Sequence, residues 1–195
     1  MKILQTETLV KTKFLDFKAT EYESDKGVKG FWTWCSRPNG MKAVLIAAVV
    51  DKGWTTLSIG AGYKQDLRLV VIKEFRVPLA DYEYSLPAGL IEKDEKIEDC
   101  VRREIFEETG LNLVKINNIS PFVYNSAGLS DESISIVFCT VEGNISKDNT
   151  ESSEEIETMI CQPKEVEQIL SNQNNKISAK TWLIFNWFVG RNFFE

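Results

Sequence analysis

Residues 43–50, Ala-Val-Leu-Ile-Ala-Ala-Val-Val, are an unbroken apolar run. A run of this length reads as a buried strand, and the rest of the chain has to supply its cover. The 195 residues suffice for one core domain with a small appendage, and a core of that size needs no disulfide or structural metal to fold. Upstream, residues 1–40 mix polar and aromatic side chains, with turn signals at Asp25-Lys26-Gly27 and Pro38-Asn39-Gly40. Thr12–Thr20 and Val28–Cys35 are read there as strands of a small antiparallel sheet, and Pro38-Asn39-Gly40 as the boundary between a unit at 1–40 and a larger one at 41–195. Further strands are expected at Trp54–Ile59, Leu67–Phe75, Ile134–Val141 and Ile156–Cys161, with a short Pro/Gly segment at Leu86–Leu90. Helices are expected over Lys96–Thr109, closed by Gly110, from Pro163, and over Ser178–Phe194. Glu142–Ser153 is polar enough to be a mobile loop.

The chain has no histidine. That removes Ser-His-Asp triads, Cys-His dyads and His-ligated zinc, and leaves acid/base work to Asp, Glu, Lys, Tyr or Cys. Acidic residues number 29 against 23 basic, a net charge of −6, which disfavours nucleic acid as a partner. An acidic protein that handles phosphates needs a divalent cation to mediate the contact. Cys35, Cys100, Cys139 and Cys161 are widely spaced and read as reduced core thiols. No apolar run approaches the length of a membrane span, and the first residues lack a signal-peptide stretch, so a cytoplasmic protein without a membrane partner is expected.

The helix after Asp94 breaks its own pattern. At about 100° per residue, Ile97, Cys100, Val101 and Ile105 fall on one arc, the face expected to meet the core. Glu104 and Glu108 fall in the middle of that arc, four residues apart, with Glu107 at its edge beside Arg103. Two like charges on a semi-buried face repel each other and resist desolvation. A divalent cation between them makes the arrangement tolerable, since Mg²⁺ prefers carboxylate and water oxygens.

Gly89, five residues, Glu95, seven residues, then Arg103-Glu104-Ile105-Phe106-Glu107-Glu108-Thr109-Gly110-Leu111 resembles the Nudix box, GX5EX7REUXEEXGU with U apolar, at every fixed position. The resemblance implies an α/β Nudix fold: an α/β/α sandwich with a mixed β-sheet, the box forming loop-helix-loop, plus a small N-terminal antiparallel β-domain. It implies hydrolysis of a nucleoside diphosphate linked to another group. Glu104 and Glu108 would ligate Mg²⁺ (Mn²⁺ as substitute), with Glu107 contributing to both metal and catalysis. Arg103 would pair with Glu95, the Ala88 carbonyl would complete the metal shell, and Gly89 and Gly110 would permit tight bends.

The segments Val71–Pro78 and Leu86–Glu92 resemble the ADP-ribose pyrophosphatase branch. That likeness implies a homodimer through an exchanged N-terminal β-domain, with Trp32 as first choice and Trp34 as second for stacking on adenine. It also implies Arg76 on the phosphates and a substrate-lining loop at Ser126–Glu132, including Gly128 and Leu129. Glu154 is the best match to a loop ligand and base, with Glu151 or Glu155 as alternatives. Two residues depart from the branch pattern: Ala127 stands where a proline is common, and Ser85 where an acidic residue is common. The expected substrate is ADP-ribose or a related nucleoside diphosphate sugar. The alternatives are another X-linked nucleotide, such as a dinucleotide or dinucleoside polyphosphate, and a non-catalytic nucleotide sensor.

Overall fold

The computed structural model describes residues 1–50, 68–147 and 155–191. The chain begins with a three-stranded antiparallel meander: β1 (Lys2–Lys11), β2 (Asp16–Glu23) and β3 (Lys29–Ser36). The expected pair of strands is therefore a trio. β1 is missing from the sequence reading because Lys-Ile-Leu-Gln-Thr-Glu-Thr-Leu-Val-Lys is exposed nearly throughout and has no buried face to leave a pattern. Its partner is fixed by pairing at a distance, including a 2.9 Å contact between the Thr6 and Thr20 hydroxyls. Thr12, expected to open a strand, instead starts the β1–β2 turn, which its N–H closes onto the Leu15 carbonyl.

β4 (Ala43–Val50) is central, as its apolar run requires. It pairs in parallel with β10 (Ser133–Glu142), and antiparallel with β7 (Ala88–Leu90) at one end and β5 (Leu69–Arg76) at the other. β6 (Asp81–Ser85), β8 (Asn112–Ile119), β9 (Val123–Tyr124), β11 (Ile156–Cys161) and β12 (Lys176–Ile177) complete a mixed sheet of nine described strands. Alternate side chains of β4 feed two cores. Val44, Ile46, Ala48 and Val50 pack with Cys100, Val101 and Ile105 of α1 (Ile97–Thr109). Leu45 and Ala47 pack with Val166 of α2 (Pro163–Ser171) and with Phe185 and Phe188 of α3 (Ala179–Phe188). Helices thus cover both faces, and the fold is the expected α/β/α sandwich with its small N-terminal sheet.

Several boundaries move. α3 stops at Phe188 rather than Phe194, because Val189 leaves helical geometry and Gly190 takes φ 72°. β6, β8, β9 and β12 were not expected; they are short or largely exposed strands without a strong apolar pattern. The strand expected at Trp54–Ile59 lies outside the described residues. Among the described residues no helix is long and apolar enough to cross a membrane.

Candidate active site

α1 begins after Lys96, carries Glu98 and Asp99 in its first turn and ends on Gly110 at φ 75°. Its apolar face docks on β4, and that docking fixes what the two misplaced carboxylates meet. Glu104 is 9% exposed and Glu108 6%. Glu108 Oε2 accepts the Ala88 N–H at 3.2 Å, and the Glu108 main-chain carbonyl accepts the Thr158 hydroxyl of β11 at 2.9 Å. Glu104 lies against Gly89 of β7 so closely that a Cβ there would overlap its carboxylate. The reason for glycine at position 89 is therefore space. Gly89 lies in an extended strand and has no positive φ, so the expected bend is absent there and present at Gly110.

Arg103 organises the rest. Its Nε and Nη2 each donate to Glu95 at 3.0 Å, a two-pronged pair. Nη2 also reaches the Leu90 carbonyl at 3.0 Å, while Nη1 reaches Glu104 at 2.6 Å and Glu107 at 3.2 Å. The guanidinium hydrogen bond, opposed by burial, holds the Glu95 carboxyl below the usual range, and Glu95 in turn tightens the arginine's hold on its proton. Burial first, then nearby Glu95 and Glu104, pushes the Cys100 thiol up to about 12, so it stays protonated as a core side chain.

Glu95 ties the stability of the fold to pH. A depressed folded-state pKa contributes stability that is present above the ordinary carboxylate range and is lost as pH falls through the lowered value. Acid titration of unfolding between roughly pH 6 and 3 should be flatter in Glu95→Gln than in the parent. Identical slopes would show that the Glu95–Arg103 pair is not coupled to folding.

The other expected residues divide into three groups. Trp32 and Trp34 meet Ala127, Ser130 and Asp131 of the expected substrate-lining loop at a cavity of about 600 Å³, with Tyr22 and Tyr124 as linings the sequence did not single out; Gly128 and Leu129 do not line it, and Leu129 lines a second hollow with Leu15, Cys35 and Arg37. The Trp32 indole N–H donates to the Gly128 carbonyl at 3.0 Å, the Trp34 indole to Thr20 at 2.8 Å, and the Cys35 N–H to the Leu129 carbonyl at 2.8 Å. None of the described box residues lines this cavity. Arg76 stands with neither group: it pairs with Glu74 at 2.7 Å and Glu83 at 3.1 Å, bracing β5 against β6. Glu151 and Glu154 lie outside the described residues, whereas Glu155 is described just before β11 and accepts the Tyr82 hydroxyl. Among the described residues no group of three acidic or cysteine side chains forms a ready-made cation cage.

The arrangement concentrates oxygen donors on a buried face, held by one arginine, beside a strand that approaches without a side chain. The NUDIX domain profile matches residues 61–183 of the chain. The ADP-ribose pyrophosphatase of Bacillus subtilis (strain 168) is 29% identical over 160 residues, covering 80% of this chain and 76% of that protein. The ADP-sugar pyrophosphatase of Mus musculus is 26% identical over 145 residues, 73% of this chain and 62% of its own length. The ADP compounds hydrolase NudE of Escherichia coli (strain K12) is 26% identical over 129 residues, 64% of this chain and 61% of its own length. A crystal structure of an ADP compounds hydrolase superposes with a TM-score of 0.71 at 19% identity, covering 94% of this chain and 90% of that one, which speaks for the fold. With a profile match over most of its length, a complete box and the matching sandwich around it, this chain belongs to the Nudix hydrolase family.

Proposed function

We propose that the chain is a divalent-cation-dependent pyrophosphohydrolase that cleaves ADP-ribose, or a related nucleoside diphosphate sugar, to a nucleoside monophosphate and a sugar phosphate. The observation that carries this reading is the pair Glu104 and Glu108, nearly buried on the core-directed face of α1 and fixed by Arg103, Gly89 and Ala88. The names of the bacterial and mouse relatives, an ADP-ribose pyrophosphatase and an ADP-sugar pyrophosphatase, support the substrate class.

The donor set suits Mg²⁺, with Mn²⁺ able to replace it: hard carboxylate oxygens at Glu104, Glu107 and Glu108, joined by the Ala88 carbonyl and Glu154. When bound, the cation neutralises diphosphate oxygens and makes water acidic enough to serve as nucleophile. Arg103 keeps the carboxylates in place, with Glu95 as its anchor. Glu154, or Glu151 as alternative, takes the proton from the attacking water. Trp32, its indole edge held by Gly128, offers a face to the base; Trp34 is the second candidate, and Gly128 and Leu129 bound the substrate. Arg76 contacts the diphosphate by exchanging a carboxylate partner for a phosphate oxygen.

The N-terminal sheet leaves large apolar side chains uncovered away from the cavity, Val10 at 54% and Phe31 at 73% exposed, and a second copy of the chain is the proposed cover, giving a homodimer built on the unit at 1–40. A cytoplasmic enzyme is consistent with its thiol use. Ala127, in the cavity wall, favours a second reading in which the sugar or base differs from that of ADP-ribose.

A panel of nucleoside diphosphate sugars and dinucleotides, with and without Mg²⁺, tests this. AMP and ribose 5-phosphate should appear from ADP-ribose only with the cation, and Trp32→Ala should raise KM about tenfold, the worth of one base stack. Turnover of dinucleoside polyphosphates alone, or tight binding without turnover, would replace the proposal.

A further inference from the structure

Among the described residues that line the cavity beneath the N-terminal sheet, one side chain is charged and four are aromatic. Trp32, Trp34, Tyr22 and Tyr124 share the cavity with Asp131. Asp131 is held in place from β3. Its N–H reaches the Cys35 carbonyl at 3.4 Å, and its Oδ2 accepts the hydroxyl of Ser36, itself 3% exposed, at 3.0 Å. The backbone beside it is stitched to the same strand by the Cys35–Ser130 bridge.

Aromatic walls hold any flat base, because every base has a π-face, and they do not read its edge. An ionised carboxylate does read it: it is acceptor-only, so it favours an edge that offers N–H donors and disfavours one that offers nothing or a carbonyl. We infer that Asp131 is a base-selecting residue, which makes the cavity specific for a nucleobase carrying an exocyclic amino group. Adenine is the first such base in view of the substrate class proposed above, on which this inference rests for the assignment of the nucleoside end to this cavity.

The test reads binding, independently of hydrolysis. Quenching of tryptophan fluorescence is titrated with AMP and with purine riboside 5′-monophosphate, which differ by the single amino group. A second pair, GMP and IMP, also differs by one amino group. In the parent protein the amino-bearing member of at least one pair should bind about tenfold tighter, the effect of one hydrogen bond to a charged group. In Asp131→Ala that difference should vanish, with affinity for the amino-free partner kept. Asp131 is exposed and the Ser36 hydroxyl keeps the Arg37 carbonyl as an acceptor at 3.2 Å, so Asp131→Ala should melt close to the parent, which a thermal melt checks. In Trp32→Ala both members of a pair should weaken equally, which separates stacking from edge reading.

Equal affinities within both pairs in the parent would overturn the inference. So would a preference that survives in Asp131→Ala, or an equal loss for both members, as expected if the carboxylate took ribose hydroxyls. Absence of binding by any of the four nucleotides would overturn it too, even if ADP-ribose is hydrolysed. Selective AMP binding without hydrolysis of any nucleoside diphosphate sugar would leave Asp131 as base selector and remove the enzymatic proposal.

Discussion

Glu108→Gln is expected to lose cation-dependent hydrolysis by at least on the order of 10³-fold in kcat, while the protein stays folded. Glutamine keeps a carbonyl oxygen that can accept the Ala88 N–H, which Glu108 now takes at 3.2 Å, and it fills the same space in a position 6% exposed. What it removes is one negative charge from a pair set four residues apart on a buried helix face. In the absence of cation that charge opposes Glu104, so the variant should unfold at the same temperature as the parent or a higher one. The second readout is the stabilisation that Mg²⁺ confers. A ligand that binds only the folded state raises the melting temperature as its concentration passes its dissociation constant. The parent should show this rise and Glu108→Gln should not. A variant that retains both the rise and the turnover would remove Glu108 from the cation site and take the proposed chemistry with it.

How much of this was legible in the sequence depended on whether a residue's surroundings are near it in the chain. α1, β4, β11 and the start of α2 follow from apolar spacing, a Pro at the first helical turn and Gly110, all local signals. The Arg103–Glu95 pair spans eight residues and was expected from the resemblance to the box. The cavity, by contrast, brings Trp32 to the loop at Ser126–Glu132, tied by its hydrogen bond to Gly128 across 96 residues; the resemblance pointed to that loop, but no local pattern announces Tyr22 or Tyr124 as linings. β1 failed for a related reason: nearly every residue is exposed, so neither face carries a stripe. Arg76 pairs with Glu74 two residues back on β5 and with Glu83 across the β5–β6 hairpin, partners that no motif announces.

The two departures from the ADP-ribose branch also separate only in three dimensions. Ser85 is 3% exposed, its hydroxyl 3.5 Å from that of Thr181 beneath α3, so its identity adjusts the core. Ala127 lines the cavity, and of the two it is the one that touches the nucleoside site proposed above.

Gly89→Ala is expected to cost both stability and turnover through one methyl group set against Glu104. The position is extended, so alanine suffers no backbone strain there; the cost is volume. The new Cβ would overlap the Glu104 carboxylate, and neither side can yield cheaply. β7 is held against β4 by the Gly89–Val44 pairing, and Val44 is 1% exposed, inside the core that α1 covers. Glu104 is tied to Arg103 at 2.6 Å, so swinging it away also unbalances the pairs to Glu95 and Glu107. Overpacking of this kind costs about 1–3 kcal/mol, enough to lower the melting temperature by several degrees. Loss of a positioned carboxylate should lower kcat by about 10²-fold or more. The two effects come apart in Gly89→Ala/Glu104→Asp. The shorter side chain makes room for the methyl group, so stability should return, but the carboxylate is drawn back by one methylene and activity should not. Gly110→Ala is the contrasting case, because its φ of 75° strains any side chain and its Cβ would sit 2.6 Å from the Ser146 nitrogen, so no change at Glu104 should rescue it. If Gly89→Ala melts and turns over like the parent, β7 and α1 can separate without consequence, and the close approach of strand to carboxylate is not what the glycine is for.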